Sequence, residues 1–198
     1  MLSCSRGPRL PPPGQKPCVG SRSPCGNRYV ASSIYSDDGK TWKFSAPVPD
    51  PLERQPNELQ GAQLANGTVV LNVRDEKSQM RLLASSNDDG TTFSPLAPTP
   101  YLTGSICQGS TVSAGGVLFF SHPFDKASRA NGWIKFSADG GRSWWLWRQV
   151  DPSTFAYSAM TVLDVNATHV SLGVVYEGAT GLRWAVVTDF LPLAGAGA

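Results

Sequence analysis

The chain has 198 residues, enough for one domain with a real core. Its net charge of +2, with Lys and Arg dispersed, argues against nucleic acid or an anionic membrane surface as the main partner. Hydrophobic residues make up 40%, charged residues 16%, and there are 20 Gly and 16 Pro, a balance suited to short strands and turns, so the expected fold is all-β.

Residues 1–27 carry Pro, Gly, Ser, Arg and three of the four cysteines (Cys4, Cys18, Cys25; the fourth is Cys107) with no apolar periodicity. They read as an irregular tail, and residues 28–198 as the globular part. No stretch approaches the ~20 apolar residues of a membrane span, and Met-Leu-Ser-Cys-Ser-Arg lacks the apolar core of a signal peptide. Neither the cysteine spacing nor any clustered His suggests a metal site, and His122 and His169 read as a loop and a surface residue. Asn66-Gly67-Thr68 and Asn166-Ala167-Thr168 are glycosylation sequons, relevant only in a secretory setting.

Tyr29–Tyr35 is strand-like and runs into Tyr35-Ser36-Asp37-Asp38-Gly39-Lys40-Thr41-Trp42. A polar, Pro-rich connection follows through Pro56. Strands are then expected at 67–74 and 80–86, joined by the charged turn Asp75-Glu76-Lys77-Ser78. The second of them enters Ser86-Asn87-Asp88-Asp89-Gly90-Thr91-Thr92-Phe93. The pattern repeats with strands at 116–121 and 133–137, the latter entering Ser137-Ala138-Asp139-Gly140-Gly141-Arg142-Ser143-Trp144. A last unit has strands at 158–163, 170–176 and 182–188.

The three Asp-Gly segments share one chemistry: Asp accepts from nearby backbone N–H groups, Gly takes positive φ, and the aromatic covers the turn. Asp37, Asp88 and Asp139 stand 51 residues apart. One such turn marks any hairpin, but three at a period near 50 mark the blades of a β-propeller, and the globular part has room for three to four of them. The turns are expected to be structural rather than catalytic.

Four polar residues lie where a propeller presents side chains to its central face. Glu58 is expected in the loop before a strand, Arg74 at that strand's end, Arg129 in the loop after the next blade's strand, and Tyr157 in the loop opening the last unit. Each also has a structural explanation: Arg74 pairing with Asp75 or Glu76 on a solvated edge, Tyr157 capping the core with a wet hydroxyl.

Taken together, the segments resemble the sialidase (neuraminidase) family, in particular its animal lysosomal-type branch. The resemblance rests on Asn57-Glu58-Leu59-Gln60 with Arg74 sixteen positions after Glu58, on Phe119-Phe120-Ser121-His122-Pro123 followed by Arg129, on Ala156-Tyr157-Ser158-Ala159-Met160, and on Val175-Tyr176-Glu177. It implies a propeller, six-bladed in the family, of which this chain holds an incomplete part. It implies exo-α-sialidase chemistry on sialylated glycans: glycoproteins, oligosaccharides or gangliosides.

Sialic acid carries a carboxylate on its anomeric carbon, so Arg74 and Arg129 would bind it through charge-assisted forks. A carboxylate nucleophile would be repelled, and sialidases use tyrosine instead. Tyr157 would attack with Glu58 as its base, neighbouring guanidinium groups would lower the phenol's pKa, and Glu177 would brace an arginine. No metal or other cofactor is needed. The resemblance also implies a lysosomal or secretory setting for the parent protein, while no residue specifies a protective partner protein.

The family's third arginine lies in a Phe/Tyr-Arg-Ile/Leu-Pro motif, echoed by Pro8-Arg9-Leu10-Pro11, but Arg9 stands 49 residues before Glu58 where the family has well over a hundred. Its acid/base aspartate has no counterpart before Asp37. The expectation is the C-terminal half of a sialidase, lacking two or three blades. A noncatalytic sialic-acid-binding module and a structural propeller fragment remain as alternatives.

Overall fold

A computed structural model of the chain describes residues 29–36 and 38–191. The irregular tail, Arg9, Asp37 and three of the cysteines lie outside the described residues. Every described element is a strand: β1 (Ile34–Tyr35), β2 (Lys43–Phe44), β3 (Pro56–Gln63), β4 (Val69–Asp75), β5 (Met80–Ser86), β6 (Ala97–Thr103), β7 (Ser110–Ala114), β8 (Val117–Pro123), β9 (Ala130–Ser137), β10 (Trp145–Thr154), β11 (Ser158–Val165), β12 (His169–Gly178) and β13 (Gly181–Phe190).

The strands form antiparallel meanders in sequence order: β3-β4-β5-β6, β7-β8-β9-β10 and β11-β12-β13, with β1-β2 as a two-stranded fragment. These meanders are successive blades of a β-propeller. No helix of the described residues is long and apolar enough to cross a membrane.

The first strands of successive blades lie side by side, β3 against β7 and β7 against β11. Side chains stitch them: Gln60 Oε1 accepts from the Thr111 N–H at 2.5 Å, Ser110 Oγ from the Met160 N–H at 2.9 Å, and Gln108 Oε1 from the Ser158 N–H at 2.9 Å. Apolar side chains fill the gaps between blades. Phe119, Ile134, Phe155, Leu172 and Val174 lie in the core between the second and third sheets, and Leu71, Val73 and Leu82 in that beneath the first.

β3 was not legible as a strand. Its sequence, Pro-Asn-Glu-Leu-Gln-Gly-Ala-Gln, has no β-branched residue, and its partners on β4 and β7 define it instead. Glu58 therefore sits inside a strand rather than in a loop. β6 carries Pro98 and Pro100 yet pairs, because it lies at the sheet edge with β5 as its ladder partner. His122 is a second correction: it is 8% exposed on β8 and stacks on Phe120 at 5.3 Å, whereas His169 is exposed as expected.

In each four-stranded blade the stapled turn joins the third strand to the fourth. Asp88 Oδ1 accepts from the Thr92 N–H at 2.9 Å and from Ser86 Oγ at 2.7 Å, while the Gly90 N–H donates to Ser86 Oγ at 2.9 Å. Asp139, Ser137, Gly141 and Ser143 repeat this arrangement. Both turns need two successive positive φ angles, supplied by Asp89 (56°) and Gly90 (81°), and by Gly140 (75°) and Gly141 (94°).

In the first turn Asp38 accepts from the N–H groups of Lys40 and Thr41, both at 2.7 Å, and Trp42 is 54% exposed where Phe93 and Trp144 are buried.

Backbone and hydroxyl donors stabilise these carboxylates. Bonds from the Thr41 and Lys40 amides hold the Asp38 pKa at about 2, and those from the Thr92 hydroxyl and amide do the same for Asp88. Depressed carboxyl pKa values contribute stability above the unfolded-state value near 4, and that contribution is lost as pH falls toward 2. We therefore expect Asp88→Asn to lower the melting temperature at neutral pH and to match the unsubstituted chain below pH about 2, in thermal melts followed by circular dichroism. An offset that persists through acid would remove the carboxylate from the turn's stability.

Candidate active site

The site gathers at the ends of β3, β4 and β11, where the first strands of the blades converge. Approaching it, Glu53 and Gln55 take left-handed φ angles of 50° and 57°, unusual for residues with a Cβ. A bulge follows. Pro56 pairs with Asp75 and Leu59 with Val73, so Asn57 and Glu58 together face the single residue Arg74. Such an extra residue re-aims side chains, and both carry polar groups toward β4. The turn after β4 is anchored by Asp75, buried as the charge pattern did not suggest: it accepts from Arg54 Nε at 2.9 Å, the Lys77 N–H at 2.8 Å and Ser78 Oγ at 2.6 Å.

Tyr157 is held through its backbone. The Phe155 N–H donates to Arg129 O at 2.9 Å, the Ala156 N–H to Glu177 O at 3.0 Å, and the Glu177 N–H to Tyr157 O at 2.9 Å. The tight turn between β8 and β9 is closed by Asp125, which accepts from the Ala127 N–H at 2.7 Å and Ser128 Oγ at 2.8 Å, and this turn presents Arg129.

Three of the five expected site residues bond one another. The Tyr157 hydroxyl donates to Glu58 Oε1 at 2.5 Å, and Arg74 Nη1 donates to Glu58 Oε2 at 2.8 Å and to the Tyr157 oxygen at 3.4 Å. Arg129, exposed, places its guanidinium carbon 5.4 Å from the centre of the Tyr157 ring. Glu177 sits differently from the bracing role: its Oε2 accepts from the Tyr157 N–H at 3.4 Å, and among the described residues no arginine lies within ion-pair distance of it.

The electrostatics follow from these contacts. Burial works against the Arg74 charge, but Glu58, Glu76 and Tyr157 outweigh it, and the guanidinium pKa is raised. The Tyr157 pKa is also raised. Its hydroxyl donates to Glu58, which stabilises the neutral phenol, and burial adds to this; Arg74 pulls the other way and does not prevail. The expectation that the guanidinium groups would lower this pKa is therefore corrected: a donated hydrogen bond to a carboxylate outweighs them. The geometry is that of a phenol whose proton is already directed onto a carboxylate, beside one partly buried and one exposed guanidinium.

The sequence profile of the BNR repeat-like domain matches residues 13–170. The chain belongs to the BNR repeat-like domain family. This BNR repeat-like chain is similar to a sialidase of Micromonospora viridifaciens, 32% identical over 169 residues that cover 79% of the chain and 25% of that relative. It is also similar to a sialidase of Bacteroides fragilis (strain YCH46), 29% identical over 160 residues covering 74% of the chain and 28% of the relative. It thus spans about a quarter of the length of these curated relatives. Among solved structures, the Hadza microbial sialidase Hz136 superposes with a TM-score of 0.64 at 25% identity, covering 80% of the chain and 32% of that structure.

The BNR repeat-like chain also holds site residues that motif reasoning passed over. Glu76 Oε1 lies 2.8 Å from Arg74 Nε, an ion pair outside aligned hydrogen-bond geometry, and accepts from Asn57 Nδ2 at 2.6 Å. Behind Arg74, Arg81 is 3% exposed and donates to Asn72 Oδ1 at 2.7 Å and Cys107 O at 2.8 Å, and burial takes its pKa down to about 9. A basic residue alternating into the core of β5 was the one available signal for Arg81. Glu76 is one of the two partners offered for Arg74 on a solvated edge; the pair forms, with its side chains only 13% and 24% exposed.

Proposed function

We propose that this chain is the part of an exo-α-sialidase that supplies the nucleophile, its base and two carboxylate-binding arginines. The single observation that carries this reading is the Tyr157–Glu58–Arg74 triangle, with a 2.5 Å bond from phenol to carboxylate and a guanidinium against both. Similarity to sialidases over most of the chain supports the same class. The substrate class is a terminal sialic acid on a glycoprotein, oligosaccharide or ganglioside.

Glu58 takes the phenol proton as the Tyr157 oxygen bonds to the anomeric carbon and the bond to the aglycone oxygen breaks. Water then attacks the same carbon and the bond to the Tyr157 oxygen breaks; that oxygen takes its proton back from Glu58, the proton lost by water goes to the general acid that had protonated the aglycone oxygen, and sialic acid is released. The leaving oxygen needs a proton from a general acid, which the resemblance assigns to an aspartate with no counterpart in the matching segments. Arg74 and Arg129 bind the substrate carboxylate, Arg74 through its terminal nitrogens and Arg129 from its exposed position over the ring.

In a second reading, a noncatalytic sialic-acid-binding module, the same arginines bind carboxylate without turnover, and the raised Tyr157 pKa, which disfavours the phenolate, is compatible with it. A fluorogenic sialoside and direct binding of free sialic acid separate the two. For the enzyme, dye is released, and Arg74→Ala and Arg129→Ala each weaken sialic-acid binding by at least about tenfold. Binding that the arginine variants abolish, without release, selects the module. No binding at all rejects both.

A further inference from the structure

Arg74 is shared between two carboxylates on opposite edges. Glu58 and Tyr157 take the Nη1 end, while Glu76 lies along the Nε edge, with Oε1 2.8 Å from Nε and Oε2 accepting from Nη2 at 3.5 Å. Glu76 is in turn held by Asn57, whose Nδ2 donates to Oε1 at 2.6 Å. Asn57 reaches it only because the β3 bulge sets two side chains against one residue of β4. The Arg74 side chain is 13% exposed and that of Glu76 24%, so this pairing is largely out of bulk water, where a misplaced guanidinium is costly.

We propose that Asn57 and Glu76 form a positioning pair that fixes the Arg74 guanidinium by its stem-side edge, so that its terminal nitrogens face Glu58, Tyr157 and an arriving substrate carboxylate. The carboxylate substrate rests on the sialidase reading; the positioning rests on the geometry alone. Glu76 touches no reacting atom and acts through Arg74. A long arginine side chain has many rotamers, and a second carboxylate on its Nε side selects the one that brings Nη1 to the phenol. Without it, Arg74 is free to swing toward solvent or to fold onto Glu58 with both nitrogens, and in either case the Tyr157 oxygen loses its cation.

The charged groups facing Tyr157 are Glu58 from β3, Arg74 from β4, Arg129 from the turn before β9, and Glu177 from β12. Because Arg74 pulls the phenol pKa down, its displacement has a defined sign: the Tyr157 titration moves upward. Asn57→Leu is the cleanest variant, since it removes the Nδ2 donor while keeping the branched shape and number of side-chain heavy atoms, and changes no charge. Glu76→Gln is the companion. If Glu76 acted only as a nearby negative charge, Glu76→Gln would move the Tyr157 titration downward and Asn57→Leu would leave it in place.

The experiment is an ultraviolet difference titration of tyrosine ionisation for the full chain, with Tyr157→Phe as the reference that isolates Tyr157, alongside calorimetric binding of free sialic acid. The expected result is an upward Tyr157 shift in both variants, with melting temperatures close to that of the unsubstituted chain and sialic acid bound about tenfold more weakly. An unchanged titration in Asn57→Leu, or a downward one in Glu76→Gln, overturns the pair's role. Should Asn57→Leu fail to fold, the sign in Glu76→Gln decides alone. If the unsubstituted chain binds no sialic acid, the sialidase reading fails while the titration still judges the positioning pair.

Discussion

On the proposed sialidase reading, Tyr157→Phe should lower sialoside turnover by roughly a thousandfold or more, in this chain or in any longer protein that carries it, while leaving the fold intact. The substitution removes one oxygen, the atom that donates to Glu58 at 2.5 Å and would bond to the anomeric carbon. Little else is lost. The aromatic ring keeps its place 5.4 Å from the Arg129 guanidinium, the backbone bonds to Glu177 remain, and Glu58 retains Arg74 as a partner at 2.8 Å. Substrate binding should therefore change little, so the loss falls on kcat rather than KM. Steady-state kinetics on a fluorogenic sialoside check this. A variant that keeps its kcat would place the nucleophile elsewhere, and one that loses only KM would make Tyr157 a binding residue.

Phe155→Ala destabilises the fold by about 4 kcal/mol, the upper range for an aromatic truncated in a packed core. Phe155 is 0% exposed, and its ring stacks on Tyr176 with centroids 4.7 Å apart and planes at 23°. Its other side lies against Gly132, where an added Cβ would come within 2.1 Å of the ring. The ring fills the seam between the second and third sheets, and neither wall can collapse: one is strand backbone at Gly132, the other a tyrosine whose hydroxyl is bonded to Asp151 at 3.0 Å. Urea unfolding should show a lower midpoint at an unchanged slope. Phe155 is also two residues from Tyr157, and its N–H anchors the Arg129 turn, so the same cavity loosens the approach of both side chains. A loss below about 1 kcal/mol would mean that the seam repacks, contrary to the close contact at Gly132.

Much of this architecture was legible because its signals are local. Val69-Val70-Leu71 and Phe119-Phe120 announce buried strands through their own side chains, and an Asp followed by Gly with a nearby Thr or Ser announces a turn through bonds spanning four residues. Where local signals were poor, the reading slipped. β3 lacks β-branched residues, and its strand is defined by its partners on β4 and β7. The first turn shows a local signal at work: Asp38 accepts from the Lys40 and Thr41 amides, two and three residues further along the chain.

The sequence by itself determined the kind of protein: an all-β chain of repeated blades, with a tyrosine, two glutamates and two arginines at positions matching the sialidase pattern. Those properties reside in residue types and spacings, which the chain carries before it folds. Only the tertiary structure decided how these groups meet. Tyr157 bonds to a glutamate 99 residues away, across one intervening blade, because the first strands β3, β7 and β11 lie side by side. It also decided what the meeting does to them. The phenol is held neutral by the carboxylate rather than ionised by the arginines, Glu177 serves the Tyr157 backbone, and Glu76 takes up the Arg74 edge. Hydrogen-bond direction and desolvation are set by positions to within a fraction of an ångström, and spacing along a chain does not contain that information.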